Sequence, residues 1–323
     1  MTGVQTCALP IYASIAGLGK PVSKLVLGVD NQFDLESSRP FFDDYLERGG
    51  NAFDTAFVYG GGQCETLLGT YLERQNLRDG VVILGKGAHT PNCDPAAIGT
   101  QLTVSLERLR TDFVDVYMMH RDNPDVPVGE FIDALNAQQA LGRMRVFGVS
   151  NWSLERMIAA NQYAAAHGLH GITVASNQFS LAKMLSPIWS GCVPGNEPAQ
   201  LSWLKSEGVA LMPWSSQARG FFVAGDANDT SNPELVRCWY DKDNFQRLER
   251  AKALAGVLGV ETINVALAYV LHQPFATFPP IGPRSVSETA SSFRALEIHL
   301  EPPEVAWLNL ETHKVPPRVA TRG

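Results

Sequence analysis

Residues 81–88 read VVILGKGA, and residues 112–124 read DFVDVYMMHRDNP. Each is a short apolar run that breaks off into polar sequence, the pattern of a strand buried on both faces that feeds a loop. A third stretch, FDTAFVYGGG at residues 53–62, ends a similar run at Asp54 and then carries Tyr59 in a glycine-rich loop. Asp54 and Lys86 end their runs and His120 follows its own. All three side chains are therefore expected at one rim of a parallel sheet, with Tyr59 in a loop on the same rim.

The alternation continues outward from these segments. Strands are predicted at Lys24–Gly28, Asn51–Asp54, Val81–Gly85, Val114–Met119, Arg145–Val149, Ile172–Ser176, Ala210–Pro213 and Thr277–Pro280. Helices are predicted at Ser37–Arg48 and Cys64–Arg74, and a third runs to Arg108 behind the cap Asp94 with Pro95 in its first turn. Short apolar runs alternating with amphipathic helices predict an α/β fold, a (β/α)8 TIM barrel. Two loops are long, Phe179–Pro198 and Arg219–Asp243, and they follow the sixth and seventh strands at the same rim. At 323 residues and 45% hydrophobic content, residues 12–323 fit one barrel domain with loop insertions.

Asp, Tyr, Lys and His gathered at one rim suit a single reaction: protonating a carbonyl oxygen while a hydride arrives at its carbon. A tyrosine hydroxyl, with an ordinary pKa of about 10, donates poorly at neutral pH unless a neighbouring ammonium lowers it. Lys86 is expected to supply that charge, with Asp54 as its counter-ion. His120 then orients the carbonyl or relays the proton. Taken singly, Asp54 reads as a strand-end cap and Lys86 as a solvated loop residue. The four together outweigh those readings.

With these residues the chain resembles the aldo-keto reductase superfamily, NAD(P)H-dependent TIM-barrel oxidoreductases whose tetrad is Asp, Tyr, Lys and His. The resemblance extends from about Leu25 to Leu310. In FGVSNWS (residues 147–153) and VASNQFSL (residues 174–181) it assigns Ser150, Asn151 and Gln178 to the nicotinamide carboxamide. In LMPWSSQARGFF it implies that Trp214 stacks on the nicotinamide ring, with Ser215 toward the pyrophosphate. In FPPIGPRSVSETASSF, Arg284 and Ser285 at a helix N-terminus are the candidates for an adenosine 2′-phosphate, which favours NADPH over NADH. Many relatives carry Gln and Asn where this chain has Glu288 and Ser292, so Glu288 marks a departure at the adenine end.

Rim residues suggest the substrate class. Asp30, Asn31, Arg121, Trp152 and Arg219 lie at predicted strand ends, and Trp239 and Tyr240 in the second long loop are candidate platforms for a ligand face. A polar and aromatic pocket suits a hydroxylated carbonyl compound such as a keto-sugar, sugar aldehyde or cyclitol. The rival from another class is a regulatory barrel that binds the cofactor with little turnover. A metal-dependent lyase would need a ligand cluster at the strand ends, and the spacing of His and carboxylates supplies none.

A net charge of −7 argues against a nucleic-acid partner, and no apolar run is long enough to predict a membrane span. The five cysteines are scattered without metal-ligand spacing, which predicts a reduced, cytoplasmic protein. His89 lies near the rim, where a lone loop histidine is more often solvated than functional. Residues 3–11, GVQTCALPI, match the in-frame translation of a common sequencing-library adapter. Residues 1–11 are accordingly read as an artefact of assembled environmental reads, and Cys7 and Pro10 carry no weight.

Overall fold

The computed structural model describes residues 11–320. The expectation for the adapter-like stretch therefore falls, but for Ile11, outside the described residues. A two-stranded antiparallel hairpin, β1 (Tyr12–Ala13) and β2 (Val22–Ser23), precedes the barrel. Then β3 (Val26–Gly28), α1 (Leu35–Glu47), β4 (Ala52–Asp54), α2 (Gln63–Gln75), β5 (Val82–Gly87), α3 (Pro95–Leu109), β6 (Val114–Met119), α4 (Val128–Ala140), β7 (Met144–Ser150), α5 (Leu154–His167), β8 (Val174–Ser176), α6 (Pro198–Glu207) and β9 (Ala210–Leu211) alternate. After β9 come α7 (Phe221–Ala224), α8 (Pro233–Trp239), α9 (Lys242–Leu258) and α10 (Thr262–Leu271). The last strand, β10 (Pro280–Ile281), is followed by α11 (Val286–Arg294), α12 (Pro302–Leu308) and α13 (Pro317–Ala320).

β10 and β3 to β9 form one parallel eight-stranded sheet in the order β10-β3-β4-β5-β6-β7-β8-β9. The sheet curls shut because the residues before β10 also pair with β9. Leu211 N donates to Ala276 O at 2.9 Å, and Phe278 N donates to Leu211 O at 2.8 Å. This is the predicted (β/α)8 barrel.

The strand period of two sorts side chains between two buried clusters. Val26, Ala52, Val82, Leu84, Val116, Met118, Val146, Val174, Ala210 and Met212 fill the barrel interior. Their neighbours Leu27, Phe53, Ile83, Tyr117, Met119, Phe147, Ala175 and Leu211 face the surrounding helices. The hairpin contributes Ile15, Leu18 and Val22 to the interior cluster and so plugs the N-terminal end of the barrel. Sequence patterning assigns residues 12–23 no element. Their apolar residues alternate too briefly to signal a hairpin without the barrel they cover.

The second long loop is also more structured than predicted. It holds α7 and α8, the latter capped by Asn232, whose side chain accepts from Glu234 N and Leu235 N. Arg237 of α8 reaches back to the first loop, donating to Ser186 Oγ at 2.9 Å and to the Pro187 carbonyl at 2.6 Å. The two loops are thereby docked on each other.

Candidate active site

Two-residue periodicity also explains which side chains meet at the C-terminal rim. Asp54 is in phase with the interior residue Ala52, Lys86 with Val82 and Leu84, and His120 with Val116 and Met118. Each continues an inward-facing column by one step past the apolar layer. The same phase places Asp30 beyond Gly28, Ser150 beyond Gly148, Ser176 beyond Val174 and Trp214 beyond Met212. The rim is thus one polar ring above an apolar plug. Ser176 was not singled out from the sequence, although strand phase alone identifies it.

Within this ring Lys86 Nζ forms an ion pair with Asp54 Oδ1, and both side chains are buried. Lys86 Nζ lies 5.1 Å from the centroid of the Tyr59 ring. Tyr59 is held in a one-turn helix, Tyr59–Gly62, whose Gly60, Gly61 and Gly62 all have positive φ. Only glycine enters that backbone region without strain, so the glycine run is what turns the chain and aims the ring inward. His120 packs edge-on to Tyr59 with centroids 5.6 Å apart, and His89 packs edge-on to His120 at 4.8 Å. His89, discounted as a solvated loop residue, is a wall of the site.

Protonation states follow from these contacts. Burial raises the Asp54 carboxyl, with the Lys86 charge pulling it back down. Tyr59 keeps part of its surface open to the rim, yet desolvation raises its phenol well above the ordinary value, and the carboxylates of Asp54 and Asp30 add to that. Arg121 pulls in the opposite direction. The sequence predicts a lowered tyrosine beside Lys86. The structure reverses that direction, because burial of the phenol and the carboxylates of Asp54 and Asp30 outweigh the cationic side chains around it. Tyr59 therefore carries its proton at neutral pH. Burial, assisted by Lys86, Arg121 and His89, holds His120 well below its usual value, so the ring is neutral. Its Nδ1 is buried with no hydrogen-bond partner among the described residues.

The candidate cofactor residues occupy the adjoining arc. Ser150 Oγ donates to Ser176 O at 2.8 Å, Asn151 Nδ2 donates to Ser150 Oγ at 2.9 Å, and Gln178 Nε2 donates to Ser180 Oγ at 2.9 Å. Gln178 Oε1, Asn177 Oδ1 and Trp214 Nε1 are buried with no hydrogen-bond partner among the described residues. Orphaned polar atoms of this kind are costly in a finished core, and they suit a ligand carrying both donors and acceptors. Asn151 at φ 60° and Ser215 at φ 50° both adopt left-handed backbone, unusual for a serine. Across the barrel Ser285 caps α11 by accepting from Glu288 N, while the Glu288 carboxylate accepts from Arg284 N at 2.8 Å. The Arg284 side chain is exposed and has no carboxylate partner among the described residues.

Two of the residues predicted to face substrate are placed differently. Trp152 and Trp239 are both 0% exposed. Trp152 lies beneath the rim, donating from Nε1 to Arg121 O at 3.2 Å, and Trp239 is buried in the packing of α8. Arg219 is at the rim, but it is ion-paired to Glu234 and lies 5.3 Å over the ring of Trp189. The exposed aromatic at this edge is Trp189, in the first long loop, whose ring centroid is 6.1 Å from that of Trp214. Asp30 remains exposed at the rim, and Asn31 Nδ2 reaches the Pro283 carbonyl at 3.4 Å.

Comparison with known proteins agrees with this geometry. The sequence profile of the Aldo/keto reductase family matches residues 24–309. The chain belongs to that family. This aldo/keto reductase is accordingly an oxidoreductase. It is 27% identical over 319 residues to the uncharacterized oxidoreductase YrpG of Bacillus subtilis, covering 92% of this chain and 94% of that protein. It is 27% identical over 296 residues to a norsolorinic acid reductase of Aspergillus flavus, covering 86% of this chain and 72% of that one. Its fold superposes on an aldo/keto reductase from Klebsiella pneumoniae, crystallised with NADP and acetate, with a TM-score of 0.74 at 21% identity, covering 94% and 95% of the two chains.

Proposed function

We propose that this aldo/keto reductase converts an aldehyde or ketone to an alcohol with NADPH, and that Tyr59 is the proton donor. The observation that carries the reading is the convergence of the buried Asp54–Lys86 pair, the Tyr59 ring and the neutral His120 ring at the mouth of one barrel. When bound, the reduced nicotinamide supplies the hydride to the carbonyl carbon. Ser150, Asn151 and Gln178 would hold its carboxamide, Trp214 its ring face, Ser215 its pyrophosphate, and Arg284 with Ser285 its 2′-phosphate.

The remaining steps belong to the chain. His120 Nε2 hydrogen-bonds the carbonyl oxygen and fixes its direction. Tyr59 Oη gives its proton to that oxygen as negative charge develops there. The phenolate left behind is then stabilised by Lys86, whose ammonium is held at the ring by Asp54. A raised phenol suits this order, since it keeps the proton in place until the substrate oxygen becomes basic. A polar ring that includes the exposed Asp30 favours a hydroxylated substrate of sugar-like or cyclitol type.

Substrate-dependent NADPH oxidation by the parent enzyme and by Tyr59→Phe tests the reading. Loss of the general acid lowers kcat by roughly 10²–10⁴-fold. Quenching of tryptophan fluorescence by NADPH stays saturable in the variant. Saturable binding by the parent with no carbonyl turned over would instead favour the regulatory barrel.

A further inference from the structure

Arg121 follows His120 directly and is 7% exposed, yet it has no carboxylate partner among the described residues. The adjacent acid, Asp122, is taken by Arg156, which donates to both its oxygens at 2.8 and 3.0 Å. Of the guanidinium donors, Nη1 reaches only the carbonyl of His120 at 2.8 Å, and Nη2 meets only the sulfur of Cys192 at 3.8 Å. Nε is buried with no hydrogen-bond partner among the described residues. A guanidinium taken out of water without a counter-ion is unfavourable and is retained where something else supplies the charge.

The backbone of Arg121 has anchors besides the guanidinium. The Arg121 carbonyl accepts from Cys93 Sγ and from Trp152 Nε1, both at 3.2 Å, so the segment carrying His120 is pinned from below. From the other side the loop backbone lies against the side chain at Gly191, where an added Cβ would stand 3.5 Å from Arg121 Cδ. The Nη1 contact to the His120 carbonyl seats the guanidinium beside the residue that faces the reacting carbonyl, and its charge also bears on the Tyr59 phenol and the His120 ring. Arg247 is comparably buried with an orphaned Nε, but it stands in the field of Asp241 and Asp243.

From these contacts, and resting on the carbonyl-reductase reading above, we propose that Arg121 recognises a carboxylate on the substrate, so that the substrate is a carbonyl compound bearing a carboxylate. The planar fork of Arg121 suits a carboxylate's two oxygens, and the low-dielectric surroundings strengthen the contact. The ion also relieves the unpaired guanidinium, so a neutral analogue leaves that charge unmatched and is discriminated against.

The test compares 4-carboxybenzaldehyde with its neutral isostere 4-formylbenzamide under NADPH. The parent enzyme should favour the carboxylate in kcat/KM by at least tenfold, mainly through KM. In Arg121→Gln that ratio should collapse by at least tenfold, and Arg121→Lys, which keeps the charge without the fork, should fall between. Circular dichroism of each variant checks the fold. A parent ratio near one, or a ratio unchanged in Arg121→Gln, overturns the proposal. Calorimetric binding of 4-carboxybenzyl alcohol to the NADP-saturated protein reads the site independently of turnover. If neither aldehyde is reduced the reductase reading fails, and carboxylate binding that is lost in Arg121→Gln still supports the anion site. Absence of such binding in the parent overturns it.

Discussion

Replacing Asp54 by Leu should unbalance the site in a way that can be measured twice. Asp54 and Lys86 are 6% and 5% exposed. Asp54 Oδ1 is the one hydrogen-bond partner of Lys86 Nζ among the described residues. Removing either member strands a desolvated charge, a loss of about 3–5 kcal/mol in buried pairs. Against a total stability of roughly 5–15 kcal/mol, that is a large fraction. Replacing both, as Asp54→Leu with Lys86→Met, removes the stranded charge and should return stability to within about 1–2 kcal/mol of the parent. Equilibrium urea denaturation of the four proteins then gives a coupling energy of at least about 4 kcal/mol. Titration of tyrosinate absorbance, with Tyr59→Phe subtracted, supplies the second reading. The Asp54 carboxylate raises the Tyr59 phenol. Its removal should therefore shift that titration downward, further still because Lys86 is left unneutralised 5.1 Å from the ring. Additive destabilisation within about 0.5 kcal/mol, or a Tyr59 titration that does not fall in Asp54→Leu, would refute the account of a neutralised pair beside the phenol.

Two further outcomes follow from other contacts. His272 is locked as the neutral tautomer, since Nδ1 contacts Ala268 O at 2.7 Å and Nε2 accepts from Leu300 N at 3.1 Å. Burial lowers its pKa and outweighs the hydrogen bond to the Ala268 carbonyl, which raises it; His299 and Lys24 assist the lowering against Glu301. Its contribution to stability is therefore complete above the unfolded value of about 6.5 and is lost as pH falls below that. In His272→Gln the difference in urea midpoint between about pH 7.5 and pH 5 should shrink. An undiminished difference would place the acid sensitivity elsewhere, with His120 next to be examined. At the adenine end, the Glu288 carboxylate lies on the Arg284 backbone amide, where it opposes a second anion. Glu288→Gln should tighten NADPH by up to roughly fivefold, the scale of one exposed charge contact, and leave NADH unchanged. Equal changes for both cofactors in fluorescence titrations would show that Glu288 acts only by positioning the helix start.

How much of the site the sequence displayed depends on how each residue reaches the rim. Asp54, Lys86 and His120 are readable because a strand has a fixed period. Once Leu84 is inside the barrel Lys86 must point the same way, and the apolar run ends where the interior layer ends. Ser176 obeys the same rule, but a serine at a strand end carries no chemical signal of its own. Trp152, Trp239 and Arg219 lie where strand phase no longer applies, and a polar or aromatic residue in a loop reads identically whether it faces ligand or core. Trp239 is drawn inward by α8, a helix that the loop's composition, GDANDTSNPE, conceals. Arg219 is claimed by Glu234, fifteen residues along and brought close only when that helix docks. The direction of the Tyr59 shift is hidden from the sequence for a related reason. Proximity of Lys86 was inferable from spacing, whereas the net shift at the phenol depends on its burial and on the carboxylates of Asp54 and Asp30. The same logic makes Arg121 informative. The sequence offers Arg121 only as one of several polar rim residues, and the folded chain shows that Asp122 has turned to Arg156 and left a buried guanidinium without a carboxylate partner among the described residues.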